Sequence, residues 1–174
     1  MRHHWRYFKY VVKHKYHVLR AGFKNGVPLW KLIIHDWDKL APKMWRSYSN
    51  YFYNFNNLPT DREVMRVSLV CGVAGYNPYT QEQCEREYKE TWNRHQHISK
   101  HHWQSAVCRN DDGTEEVMEM AESDWREMVS DWEGAGASIP NADPLIVWYE
   151  KTKPNRKLHP ITQCHVERLL GMPA

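Results

Sequence analysis

The sequence predicts a mostly α-helical fold, a helical bundle carrying one small β-hairpin near residues 104–120. Apolar residues recur at three- and four-residue steps along several stretches. Thr60 with Glu63, and Thr80 with Gln83, have the spacing of reciprocal helix caps. A strong turn signal, Asn110-Asp111-Asp112-Gly113, is flanked by the apolar pairs Ala106-Val107 and Val117-Met118. With 41% hydrophobic and 13% aromatic residues in 174, the chain has apolar surface for a core, and residues 1–174 are expected to form a single domain.

The first helix is expected from Trp5 to about Arg20, and it carries two apolar arcs. One holds Trp5, Phe8, Val12, Tyr16 and Leu19; the other holds Tyr7, Tyr10, Val11, Val18 and, among them, His14. Arg6, Lys9, Lys13, His17 and Arg20 lie between the arcs, facing solvent. Gly22 and Gly26 are expected to break this helix and Pro28 to open the next, Leu29 to about Lys39, with Trp30, Ile33, Ile34 and Trp37. After Pro42 the aromatic stretch Met44 to Phe55 continues as helix, and the Thr60 cap opens a short one to about Cys71. Gly72 to Pro78 reads as turn. A long helix from Thr80 to about Trp103 follows, then the hairpin. Ser123 caps a helix to about Glu133 that Gly134 and Gly136 should end, and Ile139 to Leu145 is loop. Val147-Trp148-Tyr149 opens a short helical turn, and His159-Pro160 leads into a last helix with Val166, Leu169 and Leu170 inward.

Composition excludes several function classes. No run approaches the roughly 18 apolar residues of a spanning helix, and mean hydropathy is −0.81. The N-terminus lacks the apolar stretch of a secretory signal, so a cytoplasmic location is expected, with no membrane partner. A net charge of +3 is too mild to indicate nucleic-acid binding by electrostatics, but it leaves room for a small anionic substrate. Cys71, Cys84, Cys108 and Cys164 form no C-x-x-C pair and read as reduced thiols. The unusual counts are 11 His and 9 Trp, which solubility does not require.

The histidines cluster in ways that suit a cation. In His35-Asp36-Trp37-Asp38-Lys39, adjacent imidazole and carboxylate can reach one divalent ion at about 2.0–2.2 Å if the backbone turns both to one side. His95 and His102 are seven residues apart, two turns of the expected long helix, on a face shared with Tyr88 and Trp92, and His101 adjoins His102. Asp124, Glu127 and Asp131 lie near one face of a later helix. Asp131 is the member expected to project into a site, while Asp124 reads as part of a solvated stripe. His97 and His165 are expected at the surface, His3 and His4 on a frayed terminus, and His159 as a cap.

The order His14, His35-Asp36, His95, His101-His102, Asp131 resembles the ligand order of the HD-domain metal-dependent phosphohydrolases, helical bundles built around H…HD…D. H-D-W-D-K keeps the lysine of the H-D-x-x-K variant found in the cyclic-dinucleotide phosphodiesterase branch, although the G-Y-P signature of that branch is missing. Over nearly the whole chain, H-K at 14–15, P-L-W at 28–30, H-D-W-D-K at 35–39, Y-F-Y at 51–53, H-H-W at 101–103, D-D-G at 111–113, E-M-V-S-D-W at 127–132, W-Y at 148–149 and L-H-P-I-T at 158–162 resemble a family of small phage and bacterial proteins, a domain of unknown function. That likeness implies a phage or bacterial source, hence a host cytoplasm if phage-encoded.

The HD resemblance implies an HD-like helical domain and one or two divalent ions, Mn, Mg, Fe, Co, Ni or Zn. His14, His35, Asp36, His95, His101, His102 and Asp131 would be their ligands, with Asp36 bridging. Catalysis would rest on Asp36, Lys39 as a point charge near a substrate phosphate, and His101 as a further ligand or general acid. Trp37 and Trp103 could stack on a base, which makes a nucleotide the leading phosphorylated substrate. Two other readings use the same residues. One is a di-iron HD-type oxygenase; the other is a non-catalytic phage binding or inhibitory protein with a structural metal.

Overall fold

The computed structural model describes residues 2–71 and 78–172. Among the described residues there are eight α-helices: α1 Arg2–Lys24, α2 Leu29–Ile34, α3 Pro42–Tyr53, α4 Asp61–Cys71, α5 Gln81–Ile98, α6 Glu122–Ser138, α7 Leu145–Thr152 and α8 Pro160–Leu169. One antiparallel hairpin joins β1, Val107–Arg109, to β2, Glu115–Val117, in the register Val107↔Val117. The fold is therefore mostly helical with a small hairpin. No described helix is long and apolar enough to cross a membrane. The turn expected from Gly72 to Pro78 lies, but for Pro78, outside the described residues.

The chain divides into two compact units, Met1–Lys9 with Trp37–Arg94, and Tyr10–Asp36 with His95–Ala174. In the first, an aromatic core forms around the fully buried Tyr7, which meets Trp45 edge-on at 4.7 Å between ring centroids. Tyr51 stacks on Tyr88 at 3.9 Å, and Ser47 and Thr91 share a buried hydrogen bond of 2.9 Å. His4, expected to fray, instead accepts a hydrogen bond at Nδ1 from Trp45, with Ser49 Oγ 2.9 Å away, because the first turn of α1 is held by this core. Both cap pairs close as expected: Thr60 N–H donates to Glu63 at 2.7 Å, and Thr80 N–H donates to Gln83 at 3.1 Å.

In the second unit the main core gathers Met120, Trp125, Met128, Val129, Tyr149 and Val166, and a smaller cluster joins Val18, Val27 and Leu32. Here two helices outrun their expected ends, and in each a glycine sits at a close packing contact. α1 continues through Gly22 to Lys24, since a Cβ at Gly22 would lie 2.3 Å from a Leu32 methyl; Gly26, at φ +74°, ends the run. α6 continues through Gly134 and Gly136 to Ser138. A Cβ at Gly134 would lie 2.8 Å from the backbone nitrogen of Val18, so that glycine marks where α6 crosses α1 backbone against backbone. Tertiary contact overrides a weak local propensity.

Two helices are shorter than expected. α2 stops at Ile34 and a 3₁₀ turn takes Trp37–Leu40, while α5 stops at Ile98 and leaves His101 and His102 on the turn beyond it. Of the two arcs on α1, Tyr7, Val11, His14 and Val18 are buried, whereas Trp5, Phe8, Val12 and Tyr16 are exposed.

Candidate metal centre

Seven side chains singled out by the sequence come together in the second unit, each between 0 and 8% exposed: His14, His35, Asp36, His95, His101, His102 and Asp131. They arrive by two routes. His14 on α1 and Asp131 on α6 sit one turn before Val18 and Gly134 respectively, so the close helix crossing sets His14 Nε2 3.1 Å from Asp131 Oδ1. His35 and Asp36 follow the end of α2. His35 turns extended, at φ −48° and ψ 126°, and Asp36 adopts φ +57°, a left-handed conformation that carries a strain on the order of 1 kcal/mol. Lys15 Nζ donates to the His35 carbonyl at 2.7 Å and helps fix this turn.

The strained turn directs both side chains to one point. Asp36 Oδ2 lies 3.1 Å from His14 Nε2 and 3.3 Å from His35 Nε2, and His35 Nε2 lies 3.3 Å from Asp131 Oδ1. The other carboxylate oxygen, Asp36 Oδ1, faces His95 Nε2 at 3.3 Å and His101 Nε2 at 3.5 Å, while His95 and His102 bring their Nε2 atoms within 2.9 Å. His102 joins this group from the turn after α5 and not from the helical face on which spacing had placed it.

These residues fit a cation. Donor atoms of His14, His35, Asp36 and Asp131 lie within 4.8 Å of one another, as do those of His95, His101 and His102. Neighbouring donors 3.1–3.5 Å apart match the edges, about 3.0–3.5 Å, of a coordination shell with bonds near 2.1 Å. The buried atoms His35 Nε2, His101 Nε2 and Asp131 Oδ1 have ion-pair contacts at 3.1–3.5 Å within the cluster but no well-formed hydrogen bond, which is costly in a closed interior unless another partner satisfies them. Of the four carboxylates around the cluster, Asp124 and Glu127 pair with the Lys31 ammonium, while Asp36 and Asp131 face imidazoles. Imidazolium or bound cations must balance the excess negative charge.

Protonation follows the same electrostatics. Burial would lower His35, but the Asp36, Asp131 and Glu127 carboxylates outweigh it and hold the ring well above the ordinary histidine value. Burial opposes ionisation of Asp131, yet His14 and His35 keep its carboxyl well below the usual range. His102 is pushed down to about 2, chiefly by burial and then by His101.

Sequence reasoning treated Glu127 as part of an acidic face and passed over Lys31. Glu127 is buried, with Oε1 3.0 Å from His35 Nδ1 and Oε2 3.1 Å from Lys31 Nζ. Asp124 is not solvated as expected but ion-paired with Lys31. The available signal was that Glu127 precedes Asp131 by four residues, one helical turn on the same face. Lys39 is half-buried on the 3₁₀ turn and belongs to the first unit. Trp103 packs against the main core, which occupies the ring expected to stack on a base, and Trp37 is exposed. His97 is exposed, His165 is half-buried against Trp125, and His159 Nδ1 caps α8.

Fold and site together define a helical protein with buried His/Asp groups able to hold metal. Residues 3–172 match DUF5662, a family of unknown function, and the chain belongs to that family. No curated protein and no solved structure matches it.

Proposed function

We propose that the protein is an HD-type metal-dependent phosphohydrolase acting on a nucleotide or another phosphoester. The observation that carries this reading is the division of labour at Asp36: one carboxylate oxygen faces His14 and His35, and the other faces His95 and His101. A carboxylate shared in this way suits two adjacent ions. His14, His35, Asp36 and Asp131 would hold one, and His95, His101 and His102 with Asp36 the other. Divalent ions in such a site supply an acidified water near neutral pH and polarise phosphoryl oxygens. The chain's own residues set the geometry: Asp36 keeps the two donor groups at a fixed separation, and the α1–α6 crossing holds His14 against Asp131.

The near-complete enclosure of the donors favours a second reading, in which the ion is structural and the protein binds a partner without turnover. One set of measurements separates these. Metal content is determined on wild type and on the His35→Ala and Asp36→Ala variants, and hydrolysis of bis(p-nitrophenyl) phosphate and of nucleotides is assayed with Mn, Mg, Co, Ni and Fe. Metal-dependent phosphate ester cleavage that both variants lose while retaining helical circular dichroism supports the hydrolase. Bound metal with no turnover under any ion overturns it in favour of the structural role. An iron-bound chromophore with oxygen consumption overturns it in favour of a di-iron oxygenase.

A further inference from the structure

Glu127 touches the candidate metal centre from behind. Its Oε1 lies 3.0 Å from Nδ1 of His35 and 3.5 Å from Nδ1 of His101, and these two rings belong to different donor groups. Their Nε2 atoms face opposite oxygens of Asp36, at 3.3 Å from Oδ2 for His35 and 3.5 Å from Oδ1 for His101. We infer that Glu127 is a positioning residue for both halves of the centre, holding His35 and His101 by Nδ1–H so that both Nε2 lone pairs point at cations, with Lys31 and Asp124 holding Glu127 in turn.

The argument is one of tautomers and charge. A neutral imidazole has one N–H and one lone pair, so a carboxylate that accepts from Nδ1 commits Nε2 to being the lone-pair atom. The opposite tautomer would aim an N–H into the site and leave no ligand. A single oxygen that serves two rings couples the two donor groups, because any shift of Glu127 is felt by both. A buried carboxylate must itself be held, and Lys31 does so from Glu127 Oε2 at 3.1 Å while ion-paired on its other side to Asp124. Lys31 is on α2, one turn before His35, and both carboxylates are on α6, so this buried triad also fixes the element that ends in the His35-Asp36 turn.

His35, His101 and Glu127 also lie close enough to be ligands of an ion of their own. Binding ions at both Nδ1 and Nε2 would require each ring to lose both its protons, so the positioning role is the one chemistry favours.

The inference rests on the metal-centre reading, and the test keeps the two apart. The probe is Mn²⁺ or Zn²⁺ alone. Long-range ¹H–¹⁵N NMR of the Zn²⁺-loaded wild type should show His35 and His101 protonated at Nδ1, a measurement that needs no variant. Glu127→Gln should weaken Mn²⁺ binding about 10- to 100-fold with the number of ions unchanged, and Lys31→Met should weaken it in the same direction. What counts is the proton position, and Nε2–H on either ring overturns the inference. So does wild-type affinity in Glu127→Gln, or the loss of one whole ion with the rest bound as before, which would make Glu127 a ligand. A wild type that binds neither Mn²⁺ nor Zn²⁺ overturns the metal reading itself, and this inference with it.

Discussion

The donors reach the candidate centre from two kinds of backbone. His14 and Asp131 stand on regular helices and meet because α1 and α6 cross at Gly134, where no side chain keeps the backbones apart. His35-Asp36 and His101-His102 stand on turns beyond helix ends, and Asp36 is held at φ +57°. The helical pair owes its geometry to packing between distant segments, whereas the turn pairs owe theirs to local conformation. The two should therefore fail differently.

The largest effect is expected at the shared carboxylate. Asp36→Asn keeps the shape of the side chain and a residue type that tolerates the left-handed region, but it removes the charge facing both donor groups. Mn²⁺ affinity should fall by more than about 100-fold, beyond the range of an outer-shell change, with helical circular dichroism retained. Isothermal titration measures it, and wild-type affinity would remove Asp36 from the centre.

Next comes the helix crossing. Gly134→Ala places a methyl 2.5 Å from a Val18 side-chain carbon and 2.8 Å from its backbone nitrogen, so a destabilisation of about 1–3 kcal/mol is expected, along with weaker Mn²⁺ binding as His14 and Asp131 separate. Gly136→Ala, two residues along the same helix, meets nothing within 4 Å and should stabilise by up to about 1 kcal/mol. Thermal unfolding of both variants decides the matter, and equal shifts would refute the packing account.

Those two glycines also show where sequence reading stops. Each looked like a helix terminator, but at Gly134 the helix packs on Val18, more than a hundred positions away, and no local pattern contains that contact. The two apolar arcs of α1 were equally visible as Trp5-Phe8-Val12-Tyr16 and as Tyr7-Val11-His14-Val18, but periodicity cannot say which one is buried. The hairpin and the Thr60 and Thr80 caps were legible because their chemistry is local. Among the site residues, the His35-Asp36 and His101-His102 pairs stood out as neighbours in sequence. Glu127 did not, since its role depends on a buried lysine from α2.

A smaller effect is expected from pH on chelator-treated protein. With its value raised, His35 contributes stability in full below about pH 6.5, and that contribution is lost as pH climbs through the raised value. The melting temperature in EDTA should fall on going from pH 6 to pH 9. With Zn²⁺ present the trend should weaken or reverse, because the ion requires unprotonated rings. A melting temperature in EDTA that rises over this interval would contradict the charge balance described for the cluster. Smallest of all, His97→Ala, on the exposed side of α5, should leave ion stoichiometry unchanged and stability within about 0.5 kcal/mol.

The enclosure of the donor atoms has a kinetic consequence. The groups around Asp36 come from residues as far apart as 14 and 131, so a cation seated there would tie both ends of a long stretch of chain together. Its escape would have to wait for that stretch to part, making release to a chelator a gauge of how often the second unit breathes and not of how tightly each bond holds.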